Sequence, residues 1–61
     1  MLGRKERFLK TFANLPLGVR KEIVLLLNGE PITWDVAFIE VNNDSEMSTP
    51  ILENLENMGI I

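Results

Sequence analysis

Asparagine, glycine and proline divide this chain into four short apolar blocks, which limits it to a few short helices or strands. The blocks cover roughly residues 4–13, 16–28, 32–41 and 45–58. With 61 residues and neither cysteine nor histidine, the chain has no means of forming a disulfide or a typical zinc site. We expect one domain, residues 1–61, whose stability comes from its 46% apolar residues or from association with other chains.

Helical spacing marks the first and the last block. In the first block Phe8, Phe12 and Leu15 stand at i, i+4 and i+7, and Pro16 follows, which ends a helix at the residue before it. The last block has a similar stripe and ends in a glycine suited to a helix stop: Met47, Ile51, Leu55, Met58 and Gly59.

The two middle blocks fit more than one structure. Pro16 suits a first helical position and Gly29 a helix stop, which predicts a second helix between them. Residues 32–41 alternate as a strand after an Asn-Gly turn would, yet they also fit a helix with Thr33 as its N-cap. Pro31 is expected to disturb a second strand. We therefore predict an all-α fold of about four helices, with an α+β helix–β-hairpin–helix fold as the alternative.

A longer pattern extends over residues 23–61. Its first part is the turn sequence G-E-P-I-T at residues 29–33, followed by apolar positions at Trp34, Ala37 and Val41. It ends with I-L-E-N-L-E-N-M-G-I-I at residues 51–61. The pattern resembles the helix-turn-helix core of winged-helix transcription regulators of the multiple-antibiotic-resistance and arsenic-repressor type. The resemblance implies a helix-turn-helix-like core within the all-α fold, and DNA binding as the activity of that family.

The chain departs from those regulators where they contact DNA. Asn42-Asn43 replaces the turn glycine, and the sequence ends where the wing strands would begin. The segment that corresponds to the recognition helix carries Glu46, Glu53 and Glu56 and no cation. A helix that enters a major groove approaches phosphates, which repel carboxylates. The resemblance therefore implies the scaffold more strongly than the activity.

Positive and negative charges are segregated along the chain. From Glu22 onward there are eight carboxylates and no cation. The net charge of −3 is therefore the sum of a basic first third and an acidic remainder. Such a chain offers complementary surfaces to a second copy, to an acidic protein or to phosphates. The candidate contact residues for nucleic acid or an acidic partner are all six cations, namely Arg4, Lys5, Arg7, Lys10, Arg20 and Lys21.

Residues for catalysis are scarce. Histidine, cysteine and tyrosine are absent, so an activated nucleophile or a neutral-pH general base has few sources. We predict no enzyme activity, no catalytic residue, no cofactor, no metal and no small-molecule substrate. No apolar run approaches a membrane span or an export signal, which predicts a cytoplasmic protein without a membrane partner.

These patterns lead to two functional hypotheses. The first is a non-catalytic protein-interaction module on a helix-turn-helix-like scaffold, self-associating as a homodimer whose partners are oriented by opposite charge. The alternative is a small DNA-binding transcription regulator that contacts phosphates through its basic N-terminal helices. An apolar C-terminus must pack on the domain or on a partner, so the interface candidates are Met58, Ile60 and Ile61.

Overall fold

The computed structural model describes residues 3–61 and contains three α-helices and one β-hairpin. Helix α1 and a short 3-10 turn come first, the hairpin strands β1 and β2 follow, and helices α2 and α3 complete the chain. Their bounds are α1 Arg4–Ala13, the 3-10 turn Val19–Lys21, β1 Ile23–Leu27, β2 Glu30–Thr33, α2 Trp34–Asn42 and α3 Ser48–Asn57.

The prediction of an all-α fold with about four helices is therefore wrong. The described chain is 54% helix and 15% strand, which makes it an α+β protein. This is the class of the alternative prediction, with one helix before the hairpin and two after it. The segment expected to be a second helix is instead the 3-10 turn and β1.

A two-residue turn at Asn28-Gly29 forms the hairpin. Both residues have positive φ, 53° and 83°, which is the requirement of a type I′ turn. Leu27 and Glu30 pair directly across it. Gly29 was expected to stop a helix, but its left-handed backbone serves the hairpin because an Asn-Gly turn matches the natural twist of paired strands.

Pro31 does not disturb the second strand, because of where the register places it. The pair next to a two-residue turn is hydrogen bonded, and bonded and non-bonded pairs alternate along antiparallel strands. Pro31 faces Leu26, the second pair from the turn, so it occupies a non-bonded position. The N–H that proline lacks would have pointed away from β1, and the ladder loses nothing.

The ends of α2 and α3 follow the sequence signals. Thr33 Oγ1 accepts a hydrogen bond from the backbone N–H of Val36 at 3.2 Å, which confirms the predicted N-cap. Gly59 ends α3 with φ 77°, and the N–H of Ile60 donates to the carbonyl of Leu55 at 3.0 Å. This is a Schellman motif, and it folds the last residues back toward the core.

The core lies between all of these elements. Phe8 is fully buried, and its ring stacks on Trp34 with a centroid distance of 6.0 Å, while Phe12 stacks on Phe38 at 4.4 Å. Ten hydrophobic residues are buried in this core, namely Phe8, Phe12, Leu25, Ile32, Trp34, Ala37, Val41, Ile51, Leu52 and Leu55. Within residues 3–61, no helix has the length and apolar character needed to cross a bilayer.

Candidate interaction surface

Two of the predicted contact cations face the C-terminal helix of their own chain. Arg7 Nη2 lies 2.6 Å from Glu56 Oε2, and Arg4 Nη1 lies 3.9 Å from Glu56 Oε1. All three side chains are close to 40% exposed. The N-terminal helix and α3, which carry opposite charge, therefore pair within one chain.

Lys5 makes a second connection between the basic and the acidic part of the chain. Its Nζ donates to both carboxylate oxygens of Asp44 at 2.9 Å. Asp44 lies in the α2–α3 connection with φ 51°, a left-handed conformation that aspartate tolerates better than most residues. Asp44 and Glu56 therefore pair with three of the α1 cations that were expected to contact a partner, namely Arg4, Lys5 and Arg7.

The Arg7–Glu56 pair is expected to contribute modestly to stability. Since both side chains are partly solvated, a double-mutant cycle with Arg7→Ala and Glu56→Ala should give a coupling of about 0.2–1 kcal/mol. Urea unfolding followed by Trp34 fluorescence measures it, and about 1 M salt should reduce it. The matched control is Lys10→Ala with Glu56→Ala, since Lys10 lies on the same helix without an ion pair among the described residues. An equal coupling in both cycles would contradict the pairing.

Arg20 is held by the core rather than presented to a partner. Its guanidinium lies 4.4 Å from the centroid of the Phe12 ring, and its Nη2 donates to the Phe12 carbonyl at 3.3 Å. That carbonyl lies in the last turn of α1, where a cation is favourable, and it also accepts from the backbone N–H of Leu15 at 3.0 Å. Arg20 therefore stabilises the end of α1 and covers Phe12.

Only two of the six predicted cations remain exposed without an ion pair in residues 3–61. They are Lys10 on α1 and Lys21 at the end of the 3-10 turn. Most of the carboxylates of the C-terminal part stay exposed in the same region. The structure therefore does not assemble the six cations into one free basic patch.

Sequence reasoning missed a set of exposed apolar side chains. The segment 23–27 was expected to be part of a helix, but as strand β1 it packs one side on the core and leaves Ile23 and Leu26 exposed on the other. The Asn-Gly signal could have located this surface, because a hairpin outside a larger sheet leaves one face uncovered. The large exposed apolar residues of the described chain that were not predicted as interface candidates are Leu17, Ile23, Leu26, Val36 and Ile39, and Met58, which was predicted, is also exposed.

The three C-terminal interface candidates differ in exposure, because α3 ends between Met58 and the other two. Met58 is half exposed, whereas Ile60 and Ile61 are partly buried and pack against the core. The Schellman motif explains the difference, because the reversal at Gly59 brings Ile60 back over Leu55. Met58 is therefore the member of this group with the most surface available to a partner.

Comparison with known proteins gives no family assignment. No protein-family model, curated protein or solved structure matches the chain. The relationship to winged-helix regulators stays a prediction. Residues 3–61 contain neither a pocket nor a group of three side chains suited to bind a metal.

Proposed function

We propose that this protein is a non-catalytic protein-interaction module that associates with a second copy of itself. The observation that carries the proposal is the exposed apolar surface on the hairpin, α2 and the end of α3. A chain of this size has a small core, and it gains stability when apolar surface is covered by another chain. Association of copies would supply that cover.

The structure changes which forces are expected to drive the association. Opposite charge was predicted to orient two copies, but Arg4, Lys5 and Arg7 already meet carboxylates of their own chain. Apolar contact is then the larger remaining source of free energy, since it scales with the area removed from water. Charge outside these pairs has the smaller role of selecting the orientation.

The DNA-binding alternative stays a prediction with less support. It requires phosphate contact by Arg4, Arg7 and Lys10, and the first two would have to exchange Glu56 for a phosphate. Most carboxylates from Glu22 onward are exposed, and exposed carboxylates repel a phosphate backbone. We therefore place protein interaction first.

Sedimentation equilibrium tests the proposal. For an interface of modest size we expect the average mass to rise from 6.9 kDa toward twice that value between about 5 μM and 1 mM protein. Because the contact is mainly apolar, the rise should persist at about 0.5 M salt, where surface charges are screened. A mass of 6.9 kDa at every concentration would contradict the proposal, and tight, salt-sensitive binding of duplex DNA by that monomer would favour the alternative.

A further inference from the structure

We infer that Asn28 is a site of spontaneous deamidation, and that the isoaspartate formed there opens the turn end of the hairpin. The reaction needs only water and the two residues of the turn, Asn28 and Gly29. It is independent of the proposed self-association, because no partner takes part in it.

The residue after Asn28 favours attack on the asparagine side chain. The nucleophile in deamidation is the backbone nitrogen of the next residue, and a Cβ on that residue crowds it. Asn28 is the only one of the six asparagines of the chain that is followed by glycine. Gly29 has no Cβ, and its backbone is free to bring the nitrogen to the carboxamide. Asn28 therefore meets the least steric resistance of the six.

The structure leaves both reacting groups accessible. Asn28 and Gly29 are exposed, and within residues 3–61 neither the Asn28 carboxamide nor the Gly29 N–H makes a hydrogen bond. By contrast, the side chains of Asn14 and Asn54 donate to backbone carbonyls at 3.0 and 2.8 Å. The turn also lies at the free end of a two-stranded sheet, which opens locally more readily than the core. Local opening lets the Gly29 nitrogen reach the side chain.

Deamidation proceeds through a cyclic imide. The backbone nitrogen of Gly29 bonds to Cγ of Asn28, the Cγ–Nδ2 bond breaks, and Nδ2 leaves as ammonia with the proton that the Gly29 nitrogen gives up. Water then opens the ring, adding its hydroxyl to one carbonyl carbon and its proton to the nitrogen. Opening at Cγ yields aspartate. Opening at the main-chain carbonyl carbon yields isoaspartate, in which the main chain runs through Cγ. Each product gains one negative charge.

The two products have different effects on the hairpin. Aspartate keeps the two-residue loop, and Asp-Gly is a favoured sequence for a type I′ turn. Isoaspartate adds one methylene group to the main chain between Leu27 and Glu30, which pair directly across the turn. Because the length and twist of the loop set the pairing of the strands, the longer main chain no longer fits β1 to β2 at this end. We therefore expect the isoaspartate product to lose the Leu27–Glu30 pair.

Ageing of the whole chain in mildly alkaline buffer tests the site. Alkaline pH promotes removal of the Gly29 amide proton, and ion-exchange chromatography separates the species that carry one added negative charge. Mass spectrometry with electron-transfer fragmentation then locates the change and distinguishes aspartate from isoaspartate. Loss of the amide is expected at Asn28 before any other asparagine, and faster as the pH rises. First loss at another asparagine, such as Asn43, or no loss at all, would overturn the assignment.

Asn28→Gly is the matched control, because Gly-Gly also suits a type I′ turn but has no carboxamide. This variant should stay folded and should not form the acidic species that the wild type forms first. Acidic species that appear at the wild-type rate would place the reaction elsewhere in the chain.

Hydrogen exchange of the purified products tests the effect on the turn. The aspartate product should keep the protection of the Glu30 amide that the wild type shows, and the isoaspartate product should lose it. An isoaspartate product with wild-type protection at Glu30 would show that the turn tolerates the longer main chain, against the inference.

Discussion

Replacing Phe8 with alanine is expected to remove a large part of the protein's free energy of unfolding at 25 °C. Phe8 is fully buried, and its ring stacks on Phe12 and Trp34 at centroid distances of 6.1 and 6.0 Å. Truncation of a buried phenylalanine costs about 3–5 kcal/mol. At about 0.05–0.15 kcal/mol per residue, the whole domain has only about 3–9 kcal/mol of stability.

Urea titration with fluorescence and circular dichroism measures this effect. Trp34 is the one tryptophan of the chain and is buried, so its emission should shift to the red on unfolding. Leu17→Ala is the control, since truncation of an exposed side chain should change the free energy of unfolding by no more than about 0.5 kcal/mol. A Phe8→Ala variant as stable as this control would show that α1 does not complete the core.

Replacing Gly29 with valine is expected to destabilise the hairpin by about 2 kcal/mol. Gly29 has φ 83°, a conformation that a β-branched residue adopts only with strain. A Cβ at this position meets no atom within 4 Å, so the cost comes from the backbone and not from a clash. Thermal unfolding of the variant should show a lower midpoint than that of the wild type.

The chain offers a matched control for this substitution at Gly18. Gly18 has φ −65° and ψ −30°, which any residue accepts, and a Cβ there also meets nothing within 4 Å. Gly18→Val should therefore change stability by less than about 0.5 kcal/mol. Equal losses at both positions would indicate that the turn at Asn28-Gly29 is not of the type I′ form.

The helices that could be predicted from sequence have apolar residues at helical spacing and a proline or glycine just beyond the end. Helix α1 has the predicted bounds, and α3 ends at the predicted glycine. Thr33 caps α2 because its hydroxyl can satisfy a free backbone N–H at that end. Local signals of this kind act through neighbouring residues and do not depend on the rest of the fold.

Strand β1 could not be predicted in the same way. Its sequence I-V-L-L-L is apolar throughout, so it carries neither a strand period nor a helix period. The Asn-Gly turn is the better evidence for a hairpin, and the prediction that Pro31 disturbs the second strand is wrong. Whether a proline blocks a strand depends on the register, which appears only when both strands are placed.

The contacts of the six cations also depend on tertiary structure. The segregation of charge along the chain predicted attraction between its two parts, but it did not indicate whether they meet within one molecule or between two. Packing of α1 against α3 brings Arg7 to Glu56 within the chain. The exposed apolar side chains of the hairpin, of α2 and of the end of α3 have no cover in the described chain, which is why they replace the α1 cations as the candidate surface.

Contact between copies can be observed directly by isotope-filtered NMR. Labelled and unlabelled protein would be mixed at about 1 mM, where a dimer of the expected affinity is well populated. Cross-peaks are predicted between methyl groups of the exposed apolar residues of two copies, which lie on the hairpin, on α2 and at the end of α3. The absence of any intermolecular cross-peak at this concentration would contradict self-association.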